Sequence, residues 1–309
     1  MKIRKKIFLW HEFLMRYNTI MYRVTRIAVR FILNLIHQFI CYYYFRLKRR
    51  KLKCNTKTCQ YVISFTSFPA RMNKIWMVVE SMLNQKEVDD DYILVLYLSK
   101  EQFPNEENDL PTKIRKQMKR GLLVKFMPGN MKSHKKYIYA FREYADRCII
   151  TIDDDLLYLD DFLRCLINAH KKYPNLIIAN RAREIINGKM YLEWPLIYRK
   201  NLLLRNVLTT NGAGTLFPPG SYESKYINEN LIKALCFYAD DLWLSFICRL
   251  KSSEIYYLGE NVECVELEFI QQESLNRVNN NVYDSANDKQ IASISNWAKD
   301  TLGFDFNMN

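Results

Sequence analysis

"CIITIDDDLLYLDD", Cys148 to Asp161, sets a β-branched apolar run directly against three consecutive aspartates. The run "CIITI" reads as a buried strand, because Ile and Thr suit a pleated surface and no charge interrupts them. A strand buried on both faces belongs to a parallel sheet, and in an open parallel sheet ligands collect beyond the carboxyl ends of the strands. Asp153, Asp154 and Asp155 therefore stand where such a fold keeps its site. Side chains alternate along extended backbone, which points Asp153 and Asp155 one way and Asp154 the other. Carboxylates this close repel each other and need a cation or strong donors to stay ionised. One or two hard carboxylate ligands suit Mg2+ or Mn2+, with water and substrate phosphates completing the shell. Asp160 and Asp161, where the next amphipathic pattern begins, read instead as helix caps.

Working outward, the same grammar recurs on the amino-terminal side. "YVISFTSF" (61–68), "YILVLYLS" (92–99) and "GLLVKFMPG" (121–129) read as strands, and "NKIWMVVESMLNQ" (73–85) and "KKYIYAFREYA" (135–145) as helices. Apolar strands alternating with helices predict an α/β fold: a Rossmann-type, mostly parallel sheet flanked by helices. On the carboxyl-terminal side come a helix over "DFLRCLINAHKKYP", a strand "LIIANRA" and a hairpin-like segment at Asn187-Gly188. A Gly-rich turn "TTNGAGTLFPPGS" follows, then the Asn-rich "NRVNNNVYDSAND" loop and a closing helix near "KQIASISNWAK". Nothing splits residues 54–309 into two domains.

A second acidic pair interrupts the apolar stretch "LIKALCFYADDLWLSFICRL". Charges in such a run are costly unless they reach a cleft or a partner. Either Asp240 caps a helix starting at Asp241, or the pair works as a base, and a cap and a base can be neighbours. One acidic site for metal and diphosphate and another to take a proton make a coherent set for group transfer from a nucleotide. Lys135 and Lys136 read equally as phosphate partners or as a solvated helix start.

The net charge of +13 is not spread along the chain. Residues 1–53 hold 14 of the 46 Lys and Arg and one of the 33 acids, Glu12, so the remaining 32 basic and 32 acidic residues cancel. This arm, which includes "RIAVRFILNLIHQFICYYYFRLKRRKLK", mixes aromatic and aliphatic residues with cations. Its uncharged run, Phe31 to Phe45, is 15 residues long and contains Asn34, His37 and Gln38, short and polar for a spanning helix. No cleavage site for a signal peptide follows it. A basic amphipathic helix favours an anionic membrane surface, and the neutral body argues against nucleic acid. The eight cysteines form no C-x-x-C pair, so zinc is not expected, and several of those other than Cys54 and Cys59 read as small core residues of a reducing compartment.

From about Tyr61 to the carboxyl-terminal region the chain resembles bacterial glycosyltransferases of the GT-A fold, family 2-like, of the type that builds surface polysaccharides. The resemblance rests on five pieces in order: "VISFTSFPAR", "ESMLNQ", "TIDDD" as the DXD motif, "GAGTLFPP" as a glycine loop, and "ADDLWL" as the catalytic acidic pair. It implies that Asp153 and Asp155 hold Mn2+ or Mg2+ and the diphosphate of a nucleoside-diphosphate sugar, with Asp154 between them and Lys136 as a phosphate partner. Thr66 and Arg71 would lie near the nucleotide, and Gly212 and Gly214 would let backbone approach the donor sugar or acceptor. Asp241 aligns with the catalytic base, while Asp240 stands where the motif often has Glu. Some of these enzymes add a late histidine as metal ligand, and none follows His170 here. The implied partners are a nucleotide-sugar donor, a glycan or lipid-linked acceptor and, through residues 1–53, an anionic membrane surface. The implied location is cytoplasmic, peripheral at the inner face of the cell membrane. Two other readings compete: another metal-dependent phosphotransferase or nucleotidyltransferase, although "GxxxxGK[ST]" is absent, and a non-enzymatic basic-armed binding protein.

Overall fold

A computed structural model describes residues 20–47, 50–53, 56–86, 88, 91–199, 201–259, 264–267, 286–304 and 306. The first arm residues, Cys54 and most of the Asn-rich loop lie outside the described residues. The chain runs from helix α1 (Ile20–Leu47) into β1 (Tyr61–Thr66), α2 (Trp76–Leu83), β2 (Tyr92–Ser99), α3 (Thr112–Met118) and β3 (Leu122–Met127). It continues through α4 (Lys135–Glu143), β4 (Cys148–Thr151), β5 (Leu156–Tyr158), α5 (Phe162–Lys172), β6 (Ile177–Ala179) and β7 (Ala182–Glu184). The last part holds β8 (Leu202–Leu204), β9 (Val207–Thr209), β10 (Thr215–Phe217), α6 (Glu229–Leu235), α7 (Asp240–Leu250), β11 (Ile255–Tyr257), β12 (Cys264–Glu266) and α8 (Ala286–Leu302).

The central sheet has the order β3-β2-β1-β4-β10-β6-β11-β8. Strands β1 to β4 are mutually parallel, β10 runs against both β4 and β6, β11 lies parallel to β6, and β8 runs against β11. The fold is thus α/β, with a mostly parallel sheet reversed only at β10 and β8. Period-two alternation explains how both faces are covered. Ile63, Phe65, Leu94, Leu96 and Ile150 join the α2 and α5 side chains in one core, while Val62, Ile93, Val95 and Ile149 join those of α4, α7 and α8 in the other.

Strand β10 lies inside the Gly-rich segment that reads from sequence as a turn, and it fills the centre of the sheet. At three residues it is too short for a periodic pattern. Because β10 is antiparallel, its amino end, with Asn211 to Gly214 ahead of it, reaches the same sheet edge as the carboxyl ends of β1, β4 and β6. The stretch expected as one strand, "LIIANRA", divides at Asn180 and Arg181: β6 joins the main sheet and β7 pairs with β9. That break turns the chain toward the cleft.

Helix α1 docks on the body through Gln38, Cys41 and Phe45, all buried, and Leu52 after it enters the same core as β1 and β2. The Tyr42 ring meets Trp76 edge-on at 5.5 Å, and the Gln38 amide donates to the Glu266 carbonyl at 3.3 Å. Among the described residues no helix is long and apolar enough to cross a membrane.

Candidate active site

Six strands of the main sheet point their carboxyl ends to one edge, and a cleft of about 600 Å³ opens there. Its volume falls within the ~300–1,000 Å³ usual for small-molecule sites. Thr66, Ser67, Phe68 and Arg71 line it after β1, Asp153 to Leu156 after β4, and Arg181 and Arg183 after β6. Lys132, Lys135 and Lys136 approach from the start of α4, and Asp240 and Asp241 from the start of α7. The structure therefore gathers Thr66, Arg71, Lys136, the three aspartates and the acidic pair in one cleft. Gly212 and Gly214 stand behind it.

The backbone does not stay extended through the triplet, as the alternation argument expects, but turns at Asp154 and Asp155 before entering β5. As a result Asp154 and Asp155 share Arg71, at 2.5 and 3.4 Å, whereas Asp153 meets Lys136 at 2.7 Å. Ser67 also donates to Asp154 at 2.6 Å. Burial, then Asp153 and Asp154, push Asp155 up to about 7. Asp154 is also raised by burial, against the pull of Arg71 and the Ser67 hydroxyl. The triplet thus carries more negative charge than its neighbours balance. The Asp153 side chain is 37% exposed, against 16% for Asp155 and 8% for Asp154, so Asp153 is the most open of the three to a ligand, followed by Asp155.

Helix α4 begins in the core. Lys135 and Lys136 are each 2% exposed, which overturns the solvated helix start. The Lys136 ammonium lies 2.7 Å from both Asp153 and Asp240, joining the two acidic sites. Burial opposes its charge, but Asp153, Asp240 and Asp241 outweigh that and hold its pKa well above the usual lysine value. Lys135 goes the other way: burial, then Lys132, lower it to about 8, and it donates to Asn130 at 3.0 Å.

Asp240 and Asp241 both belong to the first turn of α7, where the helix dipole favours negative charge. The cap position is Ala239, so Asp240 is not the cap. Against burial, Lys136 and then His134 hold the Asp240 carboxyl below its ordinary value. Asp241 instead accepts a hydrogen bond from the Asn211 N–H at 3.0 Å, and burial, then Asp240, raise it to about 7. Two adjacent carboxyls thus have opposite tendencies: Asp240 stays an anion bound to lysine, and Asp241 can exchange a proton near neutrality. The caps expected at the other acidic site also differ. Asp161 occupies the N-cap position without capping and pairs with Arg164 at 3.2 Å, while Asp160 pairs with Lys86 at 2.8 Å.

The glycine loop has packing reasons for its composition. A Cβ on Gly212 would fall 1.7 Å from an Asp153 carboxylate oxygen, so the glycine makes room for that aspartate. Gly214 has φ +97°, and a Cβ there would meet the Phe162 ring at 2.4 Å. Tyr158 ties the loop to the triplet, donating to the Gly212 carbonyl at 2.6 Å and accepting from the Asp153 N–H at 2.8 Å.

Sequence reasoning missed Ser67, Arg181, Arg183 and Tyr191. A readable signal existed for the arginines: "NRARE" places two cations at alternate positions directly after a buried strand, as "DDD" places its carboxylates. Cys41, Cys59, Cys148, Cys236 and Cys248 are all buried, and none of them lines the cleft.

No protein-family model and no curated protein matches the sequence. Solved structures do resemble the fold at low identity. The S. aureus TarS structure of residues 1–349 is 11% identical, with 79% of this chain and 72% of that chain covered and a TM-score of 0.46. Apo UDP-glucose pyrophosphorylase is 9% identical over 78% of this chain and 99% of that one, at a TM-score of 0.42. The mannosyltransferase PcManGT from Pyrobaculum calidifontis, in complex with GDP-Man and Mn2+, is 10% identical over 77% and 67%, at 0.39.

Proposed function

We propose that the chain is a metal-dependent glycosyltransferase of the hexosyltransferase type. It moves a sugar from a nucleoside-diphosphate sugar to a hydroxyl of a glycan or glycolipid acceptor, with inversion, in cell-surface polysaccharide synthesis. The observation that carries this reading is the meeting, in one cleft, of the aspartate triplet after β4 with a separate carboxyl, Asp241, raised to about 7. Asp241 takes the proton from the acceptor hydroxyl as its oxygen attacks the anomeric carbon. The bond from that carbon to the diphosphate oxygen breaks, and nucleoside diphosphate leaves from the opposite face. Lys136 holds Asp240 ionised and fixes it beside the base, and Thr66 and Arg71 border the nucleotide end.

The donor set suits a hard divalent cation. Asp153 and Asp155 offer carboxylate oxygens to the cleft, and among the described residues no group of three His, Cys, Asp or Glu could hold a metal. Two carboxylates with the rest of the shell from water and substrate phosphate match Mg2+ or Mn2+. When bound, the cation offsets charge on the leaving diphosphate. The test is a panel of sugar nucleotides titrated into purified protein with Mn2+, Mg2+ or EDTA. One donor is expected to bind and to release nucleoside diphosphate slowly only with metal, and Asp155→Ala to lose that dependence. Metal-independent binding by the wild type would remove the cation from this reading.

The arm extends the proposal to the membrane. Ile32, Ile36, Phe39, Tyr43 and Leu47 are exposed, Leu47 to 83%. At 3.6 residues per turn they span about 80° of α1, and Gln38, Cys41 and Phe45 occupy roughly the opposite face. One face thus grips the body and leaves an apolar stripe within a strongly basic segment, a chemistry matched to the anionic inner surface of the cell membrane. Phe39→Glu with Leu47→Glu is expected to abolish cosedimentation with vesicles containing phosphatidylglycerol. Each apolar side chain buried in lipid contributes about 1.5–3 kcal/mol. The melting temperature stays unchanged, because neither residue is in the core, and retained vesicle binding would refute the stripe as the contact.

A further inference from the structure

Arg181 and Arg183 flank the first residue of β7 and, two apart on extended backbone, face the same side, the cleft. Both are anchored by neutral groups, Arg183 by Tyr191 as well as by a backbone carbonyl. The Arg181 Nε donates to the Thr210 hydroxyl at 2.6 Å, and the Arg183 Nη1 donates to the Trp194 carbonyl at 2.6 Å. The Arg183 guanidinium also lies 5.3 Å from the centre of the Tyr191 ring. Among the described residues neither arginine forms an ion pair, although every cation of the opposite wall that borders the triplet is committed: Arg71 to Asp154, Lys136 to Asp153 and Asp240. Neutral anchors orient both guanidinium groups and leave their remaining donors for a ligand.

Their place in the sheet says which ligand. Thr66 and Arg71 follow β1, whereas Arg181 follows β6, and the order β1-β4-β10-β6 puts three strand steps between them. At ~4.8 Å per step that is about 14 Å, with the aspartate triplet in between. Arg181 is anchored on Thr210, and the next residue, Asn211, donates its N–H to Asp241 at 3.0 Å, so this wall adjoins the base, although Arg181 interacts electrostatically with Asp153 as well as with Asp241. We propose that Arg181 and Arg183 form an anion subsite for the acceptor: the chain transfers sugar to an acceptor bearing a phosphate or carboxylate close to its reacting hydroxyl. Planar guanidinium groups fit either anion through paired N–H donors. This assignment rests on the glycosyltransferase reading above.

Isothermal titration calorimetry with three probes on one sugar skeleton tests it: glucose 6-phosphate, glucuronate and glucose. UDP and GDP are titrated separately with Mg2+. The wild type is expected to bind one or both charged probes and to bind glucose more weakly. Arg181→Gln and Arg183→Gln each weaken the charged probe by about tenfold, as loss of a charge-assisted hydrogen bond predicts, with the nucleotide affinity unmoved. Arg183→Lys, which keeps the charge without the fork, falls between, and circular dichroism verifies that every variant is folded. Glucose 6-phosphate favoured over glucuronate names a phosphate as the anion, and the reverse order names a carboxylate. If UDP or GDP binding falls together with that of the charged probe, the arginines serve the donor and the proposal is overturned. Equal binding of charged and neutral sugars overturns it as well. Arginine-dependent anion binding with no nucleoside diphosphate bound keeps the subsite and removes the transferase reading instead.

Discussion

Asp241→Asn is expected to lower sugar transfer by about 10²–10⁴-fold, the range in which a positioned general base contributes. Asparagine keeps the shape and can still accept from the Asn211 N–H through its amide oxygen, so the loop and the start of α7 stay in place. Donor binding is expected to persist, because Asp153, Asp155 and Arg71 are untouched. Steady-state kinetics should therefore show the loss in kcat, with the donor KM little changed. The wild-type pH profile gives an independent check. The Asp241 carboxyl is pushed up to about 7, by burial first and then by Asp240. A base must be deprotonated, so kcat/KM rises with pH toward neutrality and levels above it. A cation beside Asp153 counters one of the raising charges and moves the inflection to lower pH. If Asp241→Asn retains wild-type kcat, the base lies elsewhere, and Asp240→Asn becomes the variant to measure.

Lys136→Met carries the largest expected effect on stability. Removing one partner of a buried ion pair leaves an uncompensated charge and costs ~3–5 kcal/mol. The lysine side chain is 3% exposed and touches two carboxylates, which are not equal. Asp153 is 37% exposed and water can serve it once the lysine is gone, whereas Asp240 is 12% exposed and cannot be rehydrated without opening the first turn of α7. Most of the loss therefore comes from Asp240. Urea denaturation of Lys136→Met should show a midpoint well below wild type, and Lys136→Met with Asp240→Asn should recover much of the difference. A double variant no more stable than the single one would show that Asp240 is not the stranded charge.

The parallel half of the sheet was legible in the sequence because β1, β2, β3 and β4 are apolar runs of four to eight residues separated by helical patterns. The aspartate triplet and the acidic pair were legible for a related reason: carboxylates against buried strands or inside apolar helices stand out as costly. Hidden from it were features set by pairings distant in the chain. Strand β10 has three residues, and only its neighbours β4 and β6 make it a strand. Lys136 reads equally as a phosphate partner or as a solvated helix start until α4 is placed against β1, where the Ser64 hydroxyl donates to its carbonyl and its ammonium reaches two acids on different elements. Arg181 and Arg183 carried a local signal in "NRARE" but escaped because "LIIANRA" reads as one continuous strand, and the break that leaves β6 in the main sheet and pairs β7 with β9 is a tertiary event. The turn at Asp154 and Asp155 was misjudged because alternation holds only while backbone stays extended.

The antiparallel insertion of β10 also bears on how the chain is made. Strand β4 ends at Thr151, and its second neighbour is finished only at Phe217. At ~5–20 residues per second, a chain emerging from the ribosome holds that edge of β4 open for on the order of 3–13 s. An unpaired apolar strand edge is a template for pairing with another chain. The helix that follows, α5, is complete well before Phe217 and packs on the sheet through Phe162 and Leu163, shielding one face while the edge waits. Shortened chains ending between α5 and β10 would keep the exposed edge permanently. Such fragments are destined for chaperones or aggregates, and the smallest piece with a closed sheet centre extends past Phe217.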